Sequence, residues 1–232
     1  MMNIRYALLF LLILALPSDA APKSVTLTYQ LFRNDKPLGQ VTETYQQQGN
    51  QYKIVSVTEG AGLMALAGKR VLISQGLVTA DGLQPVRFEM RQGDNERKSV
   101  TSDFDWANGE ITIRVKGNVY TQSLPKGTLD LASYPYQWMF SPPNSEDISV
   151  LLNNGKKLRE YRYRMVEQDV ILLLNNQSYQ TVTLTNAGLT DSAEEKIISL
   201  SRQHGYLPVR ILIRDENGSV TEQVISNIRI EY

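Results

Sequence analysis

The sequence of 232 residues predicts a mainly β protein, built as an antiparallel, strongly curved sheet or partly open barrel with one or two short helical plugs. Three observations predict it: apolar and polar residues alternate, turn residues interrupt the alternation about every eight to twelve positions, and only two apolar segments break it. In Ser24–Phe32, for example, Val25, Leu27, Tyr29 and Leu31 share one face. Roughly a dozen short strands of this kind favour an antiparallel sandwich or barrel.

The alternation places the strands in a fixed order along residues 21–232, which we expect to form a single β domain. In chain order they are Ser24–Phe32, Gly39–Gln47, Tyr52–Thr58, Arg70–Thr79, Pro85–Gln92, Ser99–Trp106, Glu110–Val115, Ile148–Leu152, Leu158–Val166, Val170–Leu174, Ser178–Thr185, Leu207–Arg214 and Val220–Ile230. Asn-Gly pairs at 108–109, 154–155 and 217–218 predict tight hairpin turns in which both central residues have positive φ.

The N-terminus has the pattern of a secretory signal peptide. Arg5 precedes an apolar run, Tyr6–Leu16, and Pro17 then leads to the small-x-small pattern Ser18-Asp19-Ala20. A run of this length rises only about 16 Å as a helix, against a bilayer core of roughly 30 Å, so a retained membrane anchor is the weaker alternative. We expect residues 1–20 to be removed after Ala20 and the mature protein to reside in the periplasm without stable membrane insertion.

The composition excludes several classes of function. The 24 Lys and Arg residues balance the 24 Asp and Glu residues, which leaves no basic patch of the kind that nucleic-acid binding requires. With no cysteine and one histidine, His204, the chain offers no thiolate, no His-pair metal motif and no cofactor fingerprint. His204 lies in a predicted turn, and Asp103 and Asp105 share a predicted solvent-facing side, so we expect no enzyme, no metal and no cofactor.

The two apolar segments are the candidate ligand site. Gly60–Gly68 contributes Leu63, Met64 and Leu66, and Leu129–Phe140 contributes an aromatic and sulfur-rich group. The members of that group are Tyr134, Tyr136, Trp138, Met139 and Phe140. Such side chains suit an adaptable apolar site, but they equally suit plugs that fill a barrel interior. The second segment predicts a helix capped by Thr128 and then disturbed by Pro135.

A basic stripe is the candidate contact for an anionic headgroup. In the strand Leu158–Val166, Tyr161 and Tyr163 share one face, which leaves Arg162 and Arg164 on the other. The alternative is an ordinary solvated strand face.

Three stretches carry a resemblance to a known family. The segments VTLTYQLFRNDKPLGQ, GLVTADGLQPVRFE and HGYLPVRILI, together with the signal peptide, resemble a family of exported bacterial proteins catalogued only as a domain of unknown function. The resemblance implies a periplasmic, mostly antiparallel β protein and brings no activity with it. The strand–turn–Pro pattern is also similar to that of periplasmic lipoprotein carriers, which implies a curved sheet around an apolar cavity closed by helices.

Two functions follow from these expectations. One is a non-enzymatic periplasmic protein that binds an apolar or amphipathic, lipid-like ligand in its interior. The other is an envelope structural or interaction protein without a small-molecule ligand, whose protein partner is recognised through a sheet edge or the basic stripe.

Overall fold

A computed structural model describes residues 22–93, 99–189 and 194–232, with the side chains of Leu63 and Ala67 left outside the description. The signal peptide predicted at residues 1–20 lies outside the described residues. The described chain forms one sheet of fifteen strands. The strands are β1 Ser24–Arg33, β2 Lys36–Gln48, β3 Gln51–Gly60, β4 Arg70–Thr79, β5 Gly82–Gln92, β6 Val100–Asp105, β7 Glu110–Val115, β8 Asn118–Ser123, β9 Leu129–Asp130, β10 Asp147–Asn153, β11 Leu158–Leu174, β12 Gln177–Thr185, β13 Glu195–Ser201, β14 Leu207–Arg214 and β15 Val220–Glu231.

The strand order is β8-β7-β6-β5-β4-β3-β2-β1-β15-β14-β13-β12-β11-β10-β9. From β1 to β8 and from β10 to β15, sequential strands pair as antiparallel hairpins, and the pairing of β1 with β15 joins the two halves of the chain. The short β9 is parallel to its neighbour β10. Helical turns are few among residues 22–93, 99–189 and 194–232: an α-helix, α1, spans Tyr134–Gln137, and 3₁₀ helices span Gly62–Ala67 and Arg202–His204.

One face of the sheet, here called the inner face, holds the core. Alternation directs Leu27, Tyr45, Ile54, Phe88 and Ile198 onto it, and all five are almost fully buried. The intervening positions form the outer face and are mostly half-buried or exposed. One contiguous apolar cluster therefore extends across strands from both halves of the sheet.

The sheet curls until strands near its two ends approach each other without joining. Ser74 on β4 donates a hydrogen bond of 2.6 Å to Asp130 on β9. A Cβ placed on Gly155, in the turn after β10, would lie only 3.0 Å from a methyl of Val100 on β6. The predicted fold class, a strongly curved antiparallel sheet that remains partly open, is confirmed.

The strand list derived from alternation needs two corrections. The sequence predicts Leu158–Val166 and Val170–Leu174 as separate strands, but they form the single strand β11. Bulges on either side of Glu167, which itself pairs with Thr183, shift the register without ending the ladder with β12. The strands β8, β9 and β13 were not predicted. Of these, β8 has no buried face to create an alternation, since nearly all its residues are exposed.

The prediction for the Asn-Gly turns is also wrong in its geometry. Only the glycine of each pair has positive φ, whereas the two-residue turn with positive φ at both positions occurs at Asn34-Asp35, Lys116-Gly117 and Asn175-Asn176. The Asn-Gly segments are longer loops held by side-chain acceptors. Asp215 Oδ1, for instance, accepts from the backbone N–H groups of Asn217 and Ser219.

Candidate functional site

The inner face is filled by the segment Leu129–Phe140, here called the plug. Its helix α1 contacts both β5 and β14, which belong to opposite halves of the sheet. The ring of Tyr136 stacks on Tyr45 of β2 with a centroid distance of 5.7 Å, and Phe140 contacts the same ring at 6.3 Å. The plug therefore closes the space that the curved sheet surrounds.

The local sequence explains where the plug helix begins. Thr128 does not cap it, because its hydroxyl donates instead to the carbonyl of Pro125. The helix starts at Tyr134 and places Pro135 in its first turn, where a missing N–H breaks no helical hydrogen bond. Pro135 thus fits the helix start, contrary to the prediction that it would disturb the helix.

A buried carboxylate anchors the start of the plug. Asp130 is completely buried, and its Oδ1 accepts from the backbone N–H groups of Ala132 and Ser133, each at 2.9 Å. Its Oδ2 accepts from Ser74 Oγ, which also lies 3.0 Å from the hydroxyl of Tyr52. Burial raises the pKa of Asp130 to about 6 against the opposing effect of these hydrogen bonds.

A second contact, here called the clasp, holds the end of α1. The side-chain amide of Gln137 accepts from the backbone N–H of Leu83 at 2.8 Å and donates to the carbonyl of Asp81 at 2.9 Å. Both partners belong to the β4–β5 hairpin. The clasp fixes the plug to one side of the sheet through only two hydrogen bonds.

An acidic group lies beneath the plug. Glu43 on β2 shares the inner face with Tyr45, and its carboxylate accepts from Ser56 Oγ at 3.0 Å. Burial raises the pKa of Glu43 to about 7, because the charged carboxylate is separated from water. Its charge in turn helps to raise the pKa values of Tyr29 and Tyr136, which lie close by.

The interface between plug and sheet contains buried polar atoms without partners. Within the described residues, the hydroxyl of Tyr163 and the indole N–H of Trp138 have no hydrogen-bond partner. The hydroxyl of Tyr136 interacts with the carboxylate of Glu43. Most buried polar groups in folded proteins are paired, and each exception costs free energy. The plugged state therefore leaves part of its polar surface unsatisfied.

The predicted apolar residues divide between two places. Tyr134, Tyr136 and Trp138 are buried, and Met139 and Phe140 pack partly buried against the core. Met64 and Leu66 instead lie on the 3₁₀ helix Gly62–Ala67, where they are 46% and 85% exposed. The described contacts of that helix are with β2 and β3. The side chain of Leu63 lies outside the described residues.

The predicted basic stripe lies on the outer face. Arg162 forms an ion pair with Glu160 at 3.2 Å, and Arg164 forms one with Asp147 at 3.3 Å. Both arginines are exposed and each has an acidic neighbour. Their place on the sheet separates them from the plug.

A buried cation that is not among the predicted site residues lies on the inner face. Lys196 on β13 is only 7% exposed, and its Nζ lies 5.1 Å from the ring centre of Tyr161. The sequence pattern could have indicated its burial, because Lys196 is in phase with the buried residues Ile198 and Leu200 along β13. Glu43 has the same signal, in phase with Val41 and Tyr45.

Two open grooves lie on the outer face and not beneath the plug. One, of about 860 Å³, is lined by Gln46, Lys53 and Gln75 among others. The second, of about 490 Å³, includes Gln30 and Gln40.

The histidine and the aspartate that could act as catalytic groups lie away from the plug. His204 Nδ1 lies 2.8 Å from Ser201 Oγ, beside the ring of Tyr179. Asp103 pairs with Arg87 and Arg114 on the outer face. In the described part of the chain, no three His, Cys, Asp or Glu residues are grouped as a metal site would require. The helices described for residues 22–93, 99–189 and 194–232 include none with the length and apolarity to cross a bilayer.

Comparison with known proteins identifies a family and two similar structures. Residues 25–224 match the family described as "Protein of unknown function (DUF3108)", which confirms the predicted resemblance. No curated protein matches the chain.

Two solved structures are similar to the chain at low sequence identity. A DUF1329 family protein from Desulfovibrio piger is 9% identical, with 90% of this chain and 86% of that chain covered and a TM-score of 0.24. A putative outer membrane lipoprotein-sorting protein domain from Vibrio parahaemolyticus is 11% identical, with 89% and 84% covered and a TM-score of 0.23.

Proposed function

This chain belongs to the DUF3108 family of proteins of unknown function, and we propose that it is an exported, non-enzymatic periplasmic protein that binds an apolar or amphipathic, lipid-like ligand on the inner face of its sheet. Residues 1–20 are the signal peptide in this proposal, and residues 21–232 form one β domain. The export rests on the pattern of Arg5, the apolar run and the small-residue cleavage site.

One observation carries the ligand proposal: a separate segment fills the space inside the sheet. In a solid core the strands themselves would meet, whereas here α1 stands between β5 and β14. The part of the plug that follows β9, Leu131–Phe140, can be exchanged for a ligand of similar apolar character while β9 stays paired with β10. The apolar lining that an acyl chain needs is then supplied by the sheet.

The attachments of the plug support such an exchange. The clasp consists of two hydrogen bonds from Gln137. The unpaired indole N–H of Trp138 is buried only while the plug is in place. Withdrawal would return this group to water, which offsets part of its cost. In this proposal Tyr134, Met139 and Phe140 join Tyr136 and Trp138 as ligand contacts once they are displaced.

The 3₁₀ helix Gly62–Ala67 has a separate place in the proposal. Met64 and Leu66 extend the apolar surface at the end of β3, where both are exposed to solvent. Leu63 joins the proposed site from the sequence pattern alone. An exposed apolar surface at the rim of a site can guide an apolar ligand inward.

The test measures binding of N-phenylnaphthylamine, a neutral apolar dye whose fluorescence rises in apolar surroundings. We expect saturable binding to the wild type and severalfold tighter binding to Gln137→Ala, because loss of the clasp makes the inner face more accessible. Gln75→Ala, on the outer face, is the matched control and should leave binding unchanged. Absence of saturable binding to both the wild type and Gln137→Ala, with no lipid extracted from protein purified from its native host, contradicts the proposal.

A second candidate, an envelope interaction protein, is favoured by one specific observation. β10 pairs with β11 only as far as Arg164, and β11 continues to Leu174 with β12 on its other side. Along this stretch Val166, Ile171 and Leu173 are 52%, 72% and 67% exposed. Long apolar edges are usually protected in folded proteins, so this one suits a partner strand.

Crosslinking in the native host tests the second candidate. A protein partner captured by the wild type should be lost from the double variant Ile171→Lys, Leu173→Lys. Leu66→Lys is the control, since it changes an equally exposed apolar side chain elsewhere. Retention of the partner by the double variant excludes the β11 edge as the contact.

A further inference from the structure

The inner face holds a buried cation with an unusual environment. Lys196 is 7% exposed and lies among apolar side chains that share its face, Ile198 and Leu200. Burial lowers the pKa of Lys196, and the charge of Glu194 opposes this effect. In the described part of the chain, no carboxylate lies within 4.0 Å of its ammonium group as an ion pair. A charge in such a place is costly unless an opposite charge is supplied.

The backbone around Lys196 is held in place. The buried Asn186 accepts from the N–H of Lys196 at 2.6 Å and donates its own N–H to the Lys196 carbonyl at 3.2 Å. Its side-chain amide also donates to the carbonyl of Glu194 at 3.1 Å. These bonds fix the start of β13, so the side chain cannot leave the inner face by a local shift of the strand.

Aromatic residues link Lys196 to the plug. Its ammonium lies over the ring of Tyr161. Tyr161 is in turn close enough to Tyr134, the first residue of α1, to raise the pKa of its hydroxyl. Tyr163, whose buried hydroxyl has no partner in the described structure, is close to both tyrosines. Displacement of Tyr134 would therefore uncover Tyr161, a free hydroxyl and the ammonium group together.

We propose that Lys196 is the headgroup-binding residue of the inner face and that the ligand is an acyl-type chain ending in a carboxylate or phosphate group. The inference rests on the proposed function and specifies its ligand class. The ammonium of Lys196 supplies the charge, the Tyr163 hydroxyl supplies a donor, and the rings of Tyr161 and Tyr134 contact the first part of the chain. It gives the headgroup role to Lys196 instead of to Arg162 and Arg164, which have acidic neighbours on the outer face.

The test compares two probes that differ only in charge: dansylaminoundecanoic acid and its methyl ester, both titrated at about pH 8. The wild type should bind the acid at least about tenfold more tightly than the ester, as expected for a charge-assisted contact. Lys196→Met should abolish that preference and leave the affinity for the ester unchanged. Lys53→Met, an exposed outer-face lysine, is the matched control and should keep the preference.

The possible results separate this inference from the proposed function. If the wild type binds both probes but Lys196→Met keeps the preference for the acid, Lys196 is not the headgroup residue while ligand binding stands. If neither probe binds, both proposals fail. Lys196→Gln provides a second neutral variant in case the methionine form does not fold.

Competition identifies the anionic group. Oleic acid and mono-oleoyl lysophosphatidic acid should both displace the acid probe from the wild type, and the stronger competitor shows whether carboxylate or phosphate is preferred. Failure of both to compete, while the methyl ester still binds, would overturn the assignment of an anionic headgroup.

Discussion

The ring of Tyr136 stacks on the ring of Tyr45, with centroids 5.7 Å apart and an interplanar angle of 18°. The stack joins the plug to the inner face of the sheet, and the buried hydroxyl of Tyr136 interacts with the carboxylate of Glu43. The ring should therefore contribute most of the stability that Tyr136 provides, and the hydroxyl little.

Two variants of Tyr136 separate these contributions. Tyr136→Phe keeps the stack and removes only the hydroxyl beside Glu43, so the free energy of unfolding should change by less than about 1 kcal/mol. Tyr136→Ala removes the ring from a fully buried site and should cost about 3–5 kcal/mol. Equilibrium urea unfolding measures both. A loss above about 2 kcal/mol in Tyr136→Phe would show that the hydroxyl has a stabilising partner.

Glu43 should make stability depend on pH. Its pKa in the folded protein, about 7, is above the ordinary value of 4.5, so the folded state holds this proton more tightly than the unfolded state does. The stabilisation associated with the protonated carboxyl is complete below about pH 4.5 and is lost as the pH rises through 7. A difference of this size corresponds to at most about 3 kcal/mol.

The variant Glu43→Gln isolates the effect, because its amide does not titrate. The free energy of unfolding of Glu43→Gln relative to the wild type should increase by about 2–3 kcal/mol between pH 4.5 and pH 8. Glu110→Gln, at an exposed position of β7, is the control and should show no such change. If the free energies of unfolding of Glu43→Gln and the wild type differ by the same amount from pH 4.5 to pH 8, the pKa of Glu43 is not raised in the folded protein.

Asp130 should be essential for holding the plug. Replacement by alanine leaves the donors of Ser74, Ala132 and Ser133 without their acceptor in a buried place. We expect Asp130→Ala to lower the free energy of unfolding by at least about 3 kcal/mol. Asp81→Ala, on the exposed hairpin, should change it by less than about 0.5 kcal/mol. Similar losses in the two variants would indicate that the Asp130 contacts are not stabilising.

Gly76 should not accept a side chain. It lies on β4 opposite Pro85, and a Cβ there would be 2.1 Å from the carbonyl oxygen of Gln84. Gly76→Ala should therefore cost about 2–3 kcal/mol, because the backbone of β5 must move. Gly109→Ala meets open space but has φ of +67°, so it should cost only about 1 kcal/mol. Thermal unfolding of both variants ranks them, and the reverse order would contradict the close approach.

The sequence predicts the sheet well because burial of one face requires apolar and polar residues to alternate along each strand. Val25, Leu27 and Tyr29 alternate with polar residues, and each is buried as expected. Where that trace is absent, prediction fails: β8 is exposed on both faces, and the exposed residues 166–169 hide the continuity of β11. The bulges that join its two halves depend on pairing with β12, which is not visible locally.

The candidate site was predictable only in part. The apolar plug stands out as a break in the alternation, but its docking partners do not, because Tyr45 and Leu83 are distant in sequence. Glu43 and Lys196 do carry a local signal, each being a charged residue in phase with buried neighbours. A charged residue at a position where alternation predicts a buried side chain is a candidate site residue, and both Glu43 and Lys196 meet this criterion.

The gap between the two ends of the sheet has a mechanical consequence. Strands β8 and β9 end the hydrogen-bonded order, and the described contacts between opposite ends are made by side chains and turns, such as Ser74 with Asp130 and Gly155 with Val100. The diameter of a closed barrel is fixed by its strand number and its stagger. This open sheet can widen when a few side-chain contacts between its two ends separate. Under the proposed function, ligands of different cross-section fit the inner face while every backbone hydrogen bond between neighbouring strands stays intact.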